Sequence, residues 1–206
     1  MPELPEVEST RKVLLPILLG NTLHHATIHQ PKLRYPVILD NAIFPFTIKD
    51  VKRRAKYLML LNEHDHVIVI HLGMSGYLSI QPSDTPQKKH GHVVFTLNKN
   101  QVMIFNDTRR IGLIQWFPNR EVCRWFQHLG PEPLDVSCTI DLLWTLSQKA
   151  KTPIKTFIMN QKNIVGVGNI YASESLFLSG IHPLTPAHLV TYAQLNALLT
   201  HIKSIL

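Results

Sequence analysis

The hydrophobic pattern of this chain changes its period once, at the Gly/Pro-rich segment 129–135. Before that segment, short β-prone runs alternate with turn residues, and the clearest runs are Val67–Ile70, Tyr77–Ile80, His92–Leu97 and Val102–Phe105. Several short strands at this spacing predict an antiparallel sandwich or barrel. The chain therefore begins with a β-rich unit and changes character near residue 130.

After residue 135, apolar residues recur at helical spacing. The pattern predicts helices over 140–149, 153–159, 171–178 and 186–206. A further helix is predicted at the N-terminus over 6–19, with Pro5 near its start and Gly20 just past its end. The length of 206 residues allows one large domain or two small ones. We predict two domains, residues 1–130 and 131–206.

The charge balance predicts a polyanionic partner. The chain has 21 Lys and Arg against 14 Asp and Glu, a formal net charge of +7. Such a balance suits nucleic acid or an anionic membrane surface. No apolar run of about 18 residues is present, so we expect no membrane-spanning segment. The acidic start of the chain is unlike a signal peptide, which predicts a cytosolic protein.

The N-terminus offers a candidate nucleophile. Removal of Met1 before a proline leaves Pro2 as a free secondary amine, and α-amino groups have a pKa near 8. A neutral secondary amine can attack a sugar C1′ and form an iminium ion. Glu3 beside it is a candidate general acid or base. The alternative is that Pro2 only promotes removal of Met1 and that Glu3 caps a helix.

Three loop motifs offer candidate nucleic-acid contacts. The basic run 52–56 suits phosphates or a solvated face, and its Lys56, at a strand edge, suits proton transfer. In the sequence 71–76, glycines on both sides of Met74 permit an exposed turn, so Met74 is either a wedge between bases or a core residue. In 106–112, Arg109 and Arg110 suit phosphate contact or insertion, or pairing with Asp107.

A glycine motif and two histidine pairs are further candidates for phosphate, DNA or metal contacts. Gly166-Val167-Gly168 stands before a predicted helix, where backbone N–H groups suit a phosphate. The third glycine of a dinucleotide fingerprint is absent, which disfavours a Rossmann domain. His64/His66 and His90/His92 lack a third ligand, so we predict no metal site. His90, near Lys88 and Lys89, is a candidate DNA contact.

The order of the motifs is more specific than any one of them. The chain resembles the formamidopyrimidine-DNA glycosylase family over nearly its whole length, and Leu4-Pro5 and the Met74 turn favour it over the related endonuclease VIII. The motifs that carry the resemblance are Met1–Glu8, Arg53–Leu58, His71–Gly76, Asp107–Arg110, Leu129–Leu134 and Val165–Glu174.

The resemblance implies an α+β fold: an N-terminal antiparallel β-sandwich with a flanking helix, then a helix–two-turns–helix DNA-binding domain. It implies that Pro2 is the Schiff-base nucleophile, Glu3 a proton donor and Lys56 the proton donor of β-elimination. The implied activity is base-excision repair of duplex DNA: excision of 8-oxoguanine and formamidopyrimidines, then strand cleavage at the abasic site. The implied partner is double-stranded DNA with damaged bases, bound by a monomer in a bacterial cytosol.

The resemblance also implies a set of DNA contacts. Met74 and Arg109 would fill the space left by a flipped nucleotide, with Ile111 where the family usually has phenylalanine. Thr108 likewise stands where proline is common. The other implied DNA contacts are His71, His90, Lys151, Gly168 and Asn169, and Lys149 is the alternative to Lys151.

Family members continue beyond the last helix into a base-recognition loop and a four-cysteine zinc finger with an arginine assigned to δ-elimination. The 206 residues contain two cysteines, Cys123 and Cys138, and no Cys-x-x-Cys pair. We therefore expect no cofactor in this chain and no zinc finger. The alternative function is a truncated, catalytically impaired DNA-binding remnant of the same family.

Overall fold

The computed structural model describes residues 2–86 and 88–206. These residues form two compact units that meet in sequence between Arg124 and Trp125. Met1 and Gln87 lie outside the described residues, and so does the expected removal of Met1. Each unit has its own hydrophobic core.

The described residues of the first unit form one α-helix, a short 3-10 helix at Asn41–Ile43 and ten short strands. The helix α1 spans Leu4–Leu18. The strands are β1 Thr22–Leu23, β2 His25–Ile28, β3 Phe46–Thr47, β4 Asp50–Arg54, β5 Tyr57–Leu61, β6 Val67–His71, β7 Gly76–Pro82, β8 Gly91–Thr96, β9 Gln101–Asp107 and β10 Leu113–Phe117.

The strands form two four-stranded antiparallel sheets and a two-stranded pair. The strand orders are β10-β6-β5-β4 and β2-β8-β9-β7, and β1 pairs with β3. One core cluster joins buried residues of both large sheets, including Leu58 and Ile70 from the first and Phe95 and Phe105 from the second. Of the sandwich and the barrel that the strand spacing allowed, the structure is therefore a sandwich, as the resemblance implied.

Helix α1 begins two residues earlier than its apolar pattern predicted. Glu3 is the N-cap residue, and its backbone N–H donates to the Glu6 carboxylate at 2.8 Å. Pro5 stands in the first turn, where a missing N–H costs no helical hydrogen bond. Gly20 follows the helix with φ +73°, a conformation that favours glycine. The capping contacts hold Glu3 at a fixed place at the start of α1.

An ion-pair network ties α1 to strand β4. The Glu8 carboxylate accepts hydrogen bonds from Arg11 at 2.7 Å and from Arg53 at 3.1 Å. Arg11 also donates to the carbonyl of Val51 at 3.3 Å, and Arg53 to the carbonyl of Ala55 at 2.9 Å. The start of the chain is thereby fixed beside the turn that follows β4.

We expect Glu8→Gln to lower the free energy of unfolding by about 1 kcal/mol at pH 7, since partly exposed ion pairs contribute little more. Partial burial raises the pKa of Glu8, but hydrogen bonds and charges from Arg11 and Arg53 outweigh it, so the pKa lies below 4.5. The stabilisation is therefore present above pH 4.5 and is lost as the pH falls through the lowered pKa. Urea unfolding at several pH values measures the difference.

Asp50→Asn is the matched control, because it breaks the more exposed Lys52–Asp50 pair, at 3.4 Å, on the same strand. Its effect on the free energy of unfolding should be smaller. An undiminished difference between wild type and Glu8→Gln at pH 3 would contradict the assignment to charge.

The second unit is helical. Its helices are α2 Ile140–Ser147, α3 Ile154–Met159, α4 Asn169–Leu178 and α5 Tyr192–Ile205. They enclose a separate core that includes Phe157, Ile164, Leu176 and Leu198. The four predicted helices are present, and α4 begins at Asn169, directly after Gly168, instead of at Tyr171.

The last predicted helix starts later than expected. The apolar spacing suggested a helix from Pro186, but residues Ala187–Leu189 form a 3-10 turn and α5 begins at Tyr192. Thr191 caps α5: its hydroxyl accepts from the Gln194 N–H at 3.3 Å, and the Gln194 side chain accepts from the Thr191 N–H at 3.0 Å. The Thr-x-x-Gln pattern is a capping box, which fixes the helix start.

Among the described residues, none of the helices combines the length and the apolar content needed to cross a bilayer.

Candidate functional site at the N-terminus and two exposed turns

Lys56 lies in the tight turn between β4 and β5. Arg54 pairs with Tyr57 across the two strands, so Ala55 and Lys56 are the two turn residues, and Ala55 has φ +51°. Lys56 is only 7% exposed, which is unusual for a lysine. Glu3 at the start of α1 is 1% exposed, and Pro2 is half-buried.

Glu3 and Lys56 lie in the same electrostatic environment. Burial lowers the pKa of Lys56, and the charges of Glu3 and Glu6 offset part of this effect. A buried ammonium with a lowered pKa releases and recovers a proton more easily than an exposed lysine does. The structure therefore places an acid and a basic group beside the first residues of the chain.

His71, at the end of β6, belongs to the same cluster. Its ring lies 4.8 Å, centroid to centroid, from the ring of Tyr57, its partner on β5. Burial, followed by the charges of Lys56 and Arg34, lowers the pKa of His71 to about 4. Its Nδ1 accepts a hydrogen bond from the Gly73 N–H at 3.0 Å, so the neutral ring carries its proton on Nε2. His71 is thus a neutral hydrogen-bond donor at pH 7.

We expect the His71 ring to titrate near pH 4 instead of near the ordinary histidine value of 6.5. Between pH 5 and 8 it should stay neutral, because protonation would add a second cation beside Lys56 in a buried site. The chemical shift of its ring proton in NMR spectra measures the midpoint, and His71→Gln identifies the resonance. A midpoint near 6.5 would show that the ring is solvated.

The basic run does not form one phosphate-binding surface. Lys52 pairs with Asp50, Arg53 pairs with Glu8, and Lys56 is buried. Strand alternation and the turn thus send neighbouring cations of the run to different surroundings. The buried Lys56 contributes to the N-terminal cluster, and phosphate contact by the exposed Lys52 stays a prediction.

Met74 and Arg109 lie at the tips of two adjoining turns. The Met74 turn comprises residues 72–76 and the Arg109 turn comprises residues 107–112. A Cβ on Gly73, which has φ +65°, would lie 2.7 Å from the carbonyl carbon of Ile111, so the two backbones are in direct contact. Met74 is 41% exposed, Arg109 is exposed and Ile111 is half-buried. Of the two interpretations of Met74, an exposed tip fits and a core residue does not.

Asp107 holds the two turns together. Its buried carboxylate accepts from the Ser75 hydroxyl at 2.6 Å, from the Gly112 N–H at 2.7 Å and from the Arg109 N–H at 3.2 Å. The suggestion that Asp107 pairs with the arginine side chains is wrong, because its oxygens face a hydroxyl and backbone N–H groups. Sequence reasoning therefore missed the role of Ser75, a small polar residue inside a turn that resembles any other turn serine.

His90 approaches the Arg109 turn through its backbone. Its carbonyl accepts from the Asp107 N–H at 3.0 Å, and its ring lies 6.4 Å from that of His92. The His92 Nε2 lies 2.6 Å from the carbonyl of Asp107. The half-buried His90 is thus on the same surface loops as Arg109.

In the second unit, the glycine motif forms a tight turn between α3 and α4. The Gln161 side chain accepts from the Gly166 N–H at 2.8 Å and donates to the carbonyl of Val167 at 3.1 Å. Gly168 is the N-cap of α4, and Asn169 is exposed in its first turn. The partial positive charge of a helix N-terminus makes this place suitable for a phosphate.

Lys151 lies exposed before α3, as does Lys149. The sequence interpretation passed over Lys155, whose ammonium donates to the Ser173 hydroxyl at 2.9 Å and so links α3 to α4. Lys155 and Ser173 are 18 residues apart in the sequence, so this contact could not be predicted from it. The packing of α3 against α4 creates the contact.

The zinc ion that the resemblance associates with the family has no site among these residues. Within residues 2–86 and 88–206, no group of three or more His, Cys, Asp or Glu could hold a metal ion. Cys123 and Cys138 are both buried, neither forms a disulfide, and they belong to different compact units. The donor set does not fit zinc.

Comparison with known proteins identifies both units. The formamidopyrimidine-DNA glycosylase N-terminal domain matches residues 1–114, and the formamidopyrimidine-DNA glycosylase H2TH domain matches residues 129–206. The β-sandwich with its buried N-terminal cluster and the helical unit with its glycine turn thus define a DNA-binding repair protein, a DNA glycosylase.

Similar proteins and solved structures agree with these two domain matches. The formamidopyrimidine-DNA glycosylases of Dichelobacter nodosus and Stenotrophomonas maltophilia strain K279a are 44% and 45% identical, each over 100% of this chain and 77% of its own length. Lactococcus lactis formamidopyrimidine-DNA glycosylase, non-covalently bound to AP-site DNA, has a TM-score of 0.91 at 27% identity, covering 98% of this chain and 79% of that one. A MutM complex with carbocyclic 8-oxo-G DNA has a TM-score of 0.91 at 27% identity, covering 99% and 78%.

The chain belongs to the formamidopyrimidine-DNA glycosylase family. The expected fold, a β-sandwich with a flanking helix followed by a helix–two-turns–helix domain, is confirmed.

Proposed function

We propose that this chain removes oxidised purines from duplex DNA and then cleaves the strand, with Pro2 as a Schiff-base nucleophile. The observation that carries the proposal is the cluster of Glu3, Lys56 and His71 beside the start of the chain. Relatives of the chain carry the family name, and solved neighbours hold AP-site DNA and 8-oxo-G DNA. These complexes support the proposed class of substrate.

The first step uses the amine of Pro2. Its nitrogen attacks C1′ of the damaged nucleotide, the bond from C1′ to the base breaks, and the departing base takes up a proton. After the sugar ring opens, the nitrogen and C1′ form an iminium ion. Glu3, which is buried next to Pro2, supplies a proton in this step.

The second step is β-elimination. Loss of a proton from C2′ moves an electron pair toward the iminium, and the bond from C3′ to the 3′ phosphate oxygen breaks. Lys56 is the candidate proton-transfer group, because burial lowers its pKa. The neutral His71 donates a hydrogen bond from Nε2 to the DNA and adds no second charge beside Lys56.

The two exposed turns carry the proposed role of holding the lesion out of the helix. Extraction of a nucleotide leaves a gap in the base stack, and inserted side chains offset the cost of unstacking. Met74 is the apolar tip, Arg109 supplies a guanidinium, and the half-buried Ile111 is the third proposed inserting side chain. In the second unit, Asn169, the backbone at Gly168 and Lys151 are proposed phosphate contacts.

Borohydride trapping tests the proposal. The protein with a free Pro2 amine is mixed with a duplex containing 8-oxoguanine, reduced, and analysed by mass spectrometry for an adduct on Pro2. A duplex with guanine at the same position is the control. An adduct with the lesion duplex alone supports the proposal, whereas salt-dependent DNA binding without an adduct would support the DNA-binding remnant instead.

A further inference from the structure

We propose that Ser75 and Asp107 are positioning residues that join the Met74 turn and the Arg109 turn into one rigid two-pointed wedge. The inference rests on the proposed role of the two turns in filling the gap in the base stack. It assigns a function to two residues that touch neither the lesion nor the N-terminal cluster in the proposed reaction.

Hydrogen bonds through Ser75 and Asp107 connect the two turns. Ser75 Oγ donates to Asp107 at 2.6 Å and accepts from the Arg109 N–H at 3.1 Å. The second carboxylate oxygen of Asp107 accepts from the Gly112 N–H at 2.7 Å. Ser75 is the residue next to Met74, and its hydroxyl is therefore hydrogen-bonded to both the Asp107 carboxylate and the backbone of Arg109.

The carboxylate of Asp107 is fully buried, which makes these bonds costly to lose. A buried carboxylate is stable only when it accepts several hydrogen bonds, and here three donors surround it. Loss of the Ser75 hydroxyl removes the donor that comes from the Met74 turn. The other two donors belong to the Arg109 turn, so that turn keeps its own shape while its link to Met74 is broken.

Close backbone approaches lie within the Met74 turn and between the two turns. A Cβ on Gly76 would collide with the Leu72 carbonyl oxygen of the same turn, and one on Gly112 would lie 2.9 Å from the His71 carbonyl oxygen. Arg110 holds a left-handed conformation, with φ +54°, and its N–H donates to the Asp107 carbonyl at 3.3 Å. Such a conformation persists where surrounding contacts hold it, so the Arg109 turn is pre-formed.

Pre-organisation explains why a wedge would need this link. Two side chains that enter one gap together must keep their separation, and each freely moving tip would lose conformational entropy on insertion. Ser75 and Asp107 remove that cost before DNA is bound. Their effect should therefore appear in duplex insertion and not in general attraction to phosphates.

The test uses a duplex with a tetrahydrofuran abasic-site analogue opposite 2-aminopurine, whose fluorescence reports stacking and which needs no chemical step. Wild-type protein should change the emission on binding. Ser75→Ala and Asp107→Asn should lose most of that change at saturating protein, while anisotropy shows nearly unchanged binding. Ser79→Ala is the matched control: its hydroxyl accepts from Asn106 at 3.2 Å on the same pair of strands, away from the turns.

A double variant separates positioning from loss of structure. If Ser75 acts through the tips, Met74→Ala combined with Ser75→Ala should lose little more than Met74→Ala alone. Full emission change in Ser75→Ala, or a loss shared equally by Ser79→Ala, would overturn the positioning role. Wild-type protein that binds this duplex without any emission change would overturn the wedge itself, and failure to bind DNA would overturn the proposed function.

Discussion

A residue added in front of Pro2 is expected to abolish covalent trapping on lesion-containing DNA. The added residue turns the nitrogen of Pro2 into an amide, whose lone pair is delocalised and is not nucleophilic. Strand cleavage should fall by at least about 1000-fold, the order of loss found when a catalytic nucleophile is removed. The measurement is gel analysis of reduced complexes, with proteins that differ only in the blocked amine.

Two comparisons make the result specific. Pro5→Ala changes a proline in the first turn of α1 without touching the amine, and it should trap as the wild type does. Binding to undamaged duplex should be equal in the blocked and the free protein. Undiminished trapping by the blocked chain would show that a lysine, and not Pro2, forms the adduct.

Glu3→Gln is expected to slow base release by about 100-fold or more, while cleavage at a preformed abasic site falls much less. The amide keeps the size of the buried side chain and loses its ability to donate or accept a proton. Base departure needs that proton, whereas an abasic site has already lost its base. Release of 8-oxoguanine and nicking of an abasic duplex measure the two steps separately.

Glu6→Gln is the matched control for Glu3→Gln. Glu6 is exposed one turn further along α1, and its carboxylate also acts on Lys56. An amide oxygen at this position can still accept the Glu3 N–H, so base release should change little. Equal loss in both variants would point to the field around Lys56 instead of proton transfer by Glu3.

The sequence predicted more of the helical unit than of the sandwich. Apolar spacing within about 10 to 15 residues predicts a helix, so four helices of the second unit were found, with errors at several starts and at the end of α2, which is Ser147 instead of Lys149. Strands β4, β5 and β10 were harder to predict, and the pairing partner of β10, strand β6, is distant in sequence. Their runs also adjoin charged or polar segments that resemble loops.

In the candidate site, too, some features were predictable from the sequence and others were not. Pro2, Glu3 and Met74 were singled out because each stands in a short motif with its own chemistry. The contacts of Asp107 were misjudged, because Ser75 is 32 residues away and the nearest partners in sequence are two arginines. The lowered pKa of His71 depends first on burial and then on the charges of Lys56 and Arg34, which come from separate segments.

What the sequence alone determined is the list of reactive groups and their order: an N-terminal proline, an adjacent acid, a lysine at a strand edge and a methionine between glycines. What the tertiary structure decided is their environment: which cations are buried, which carboxylates accept backbone hydrogen bonds and which turns touch. The physical reason is that covalent neighbours determine local conformation, whereas burial and electrostatics depend on groups that only folding brings within a few ångströms.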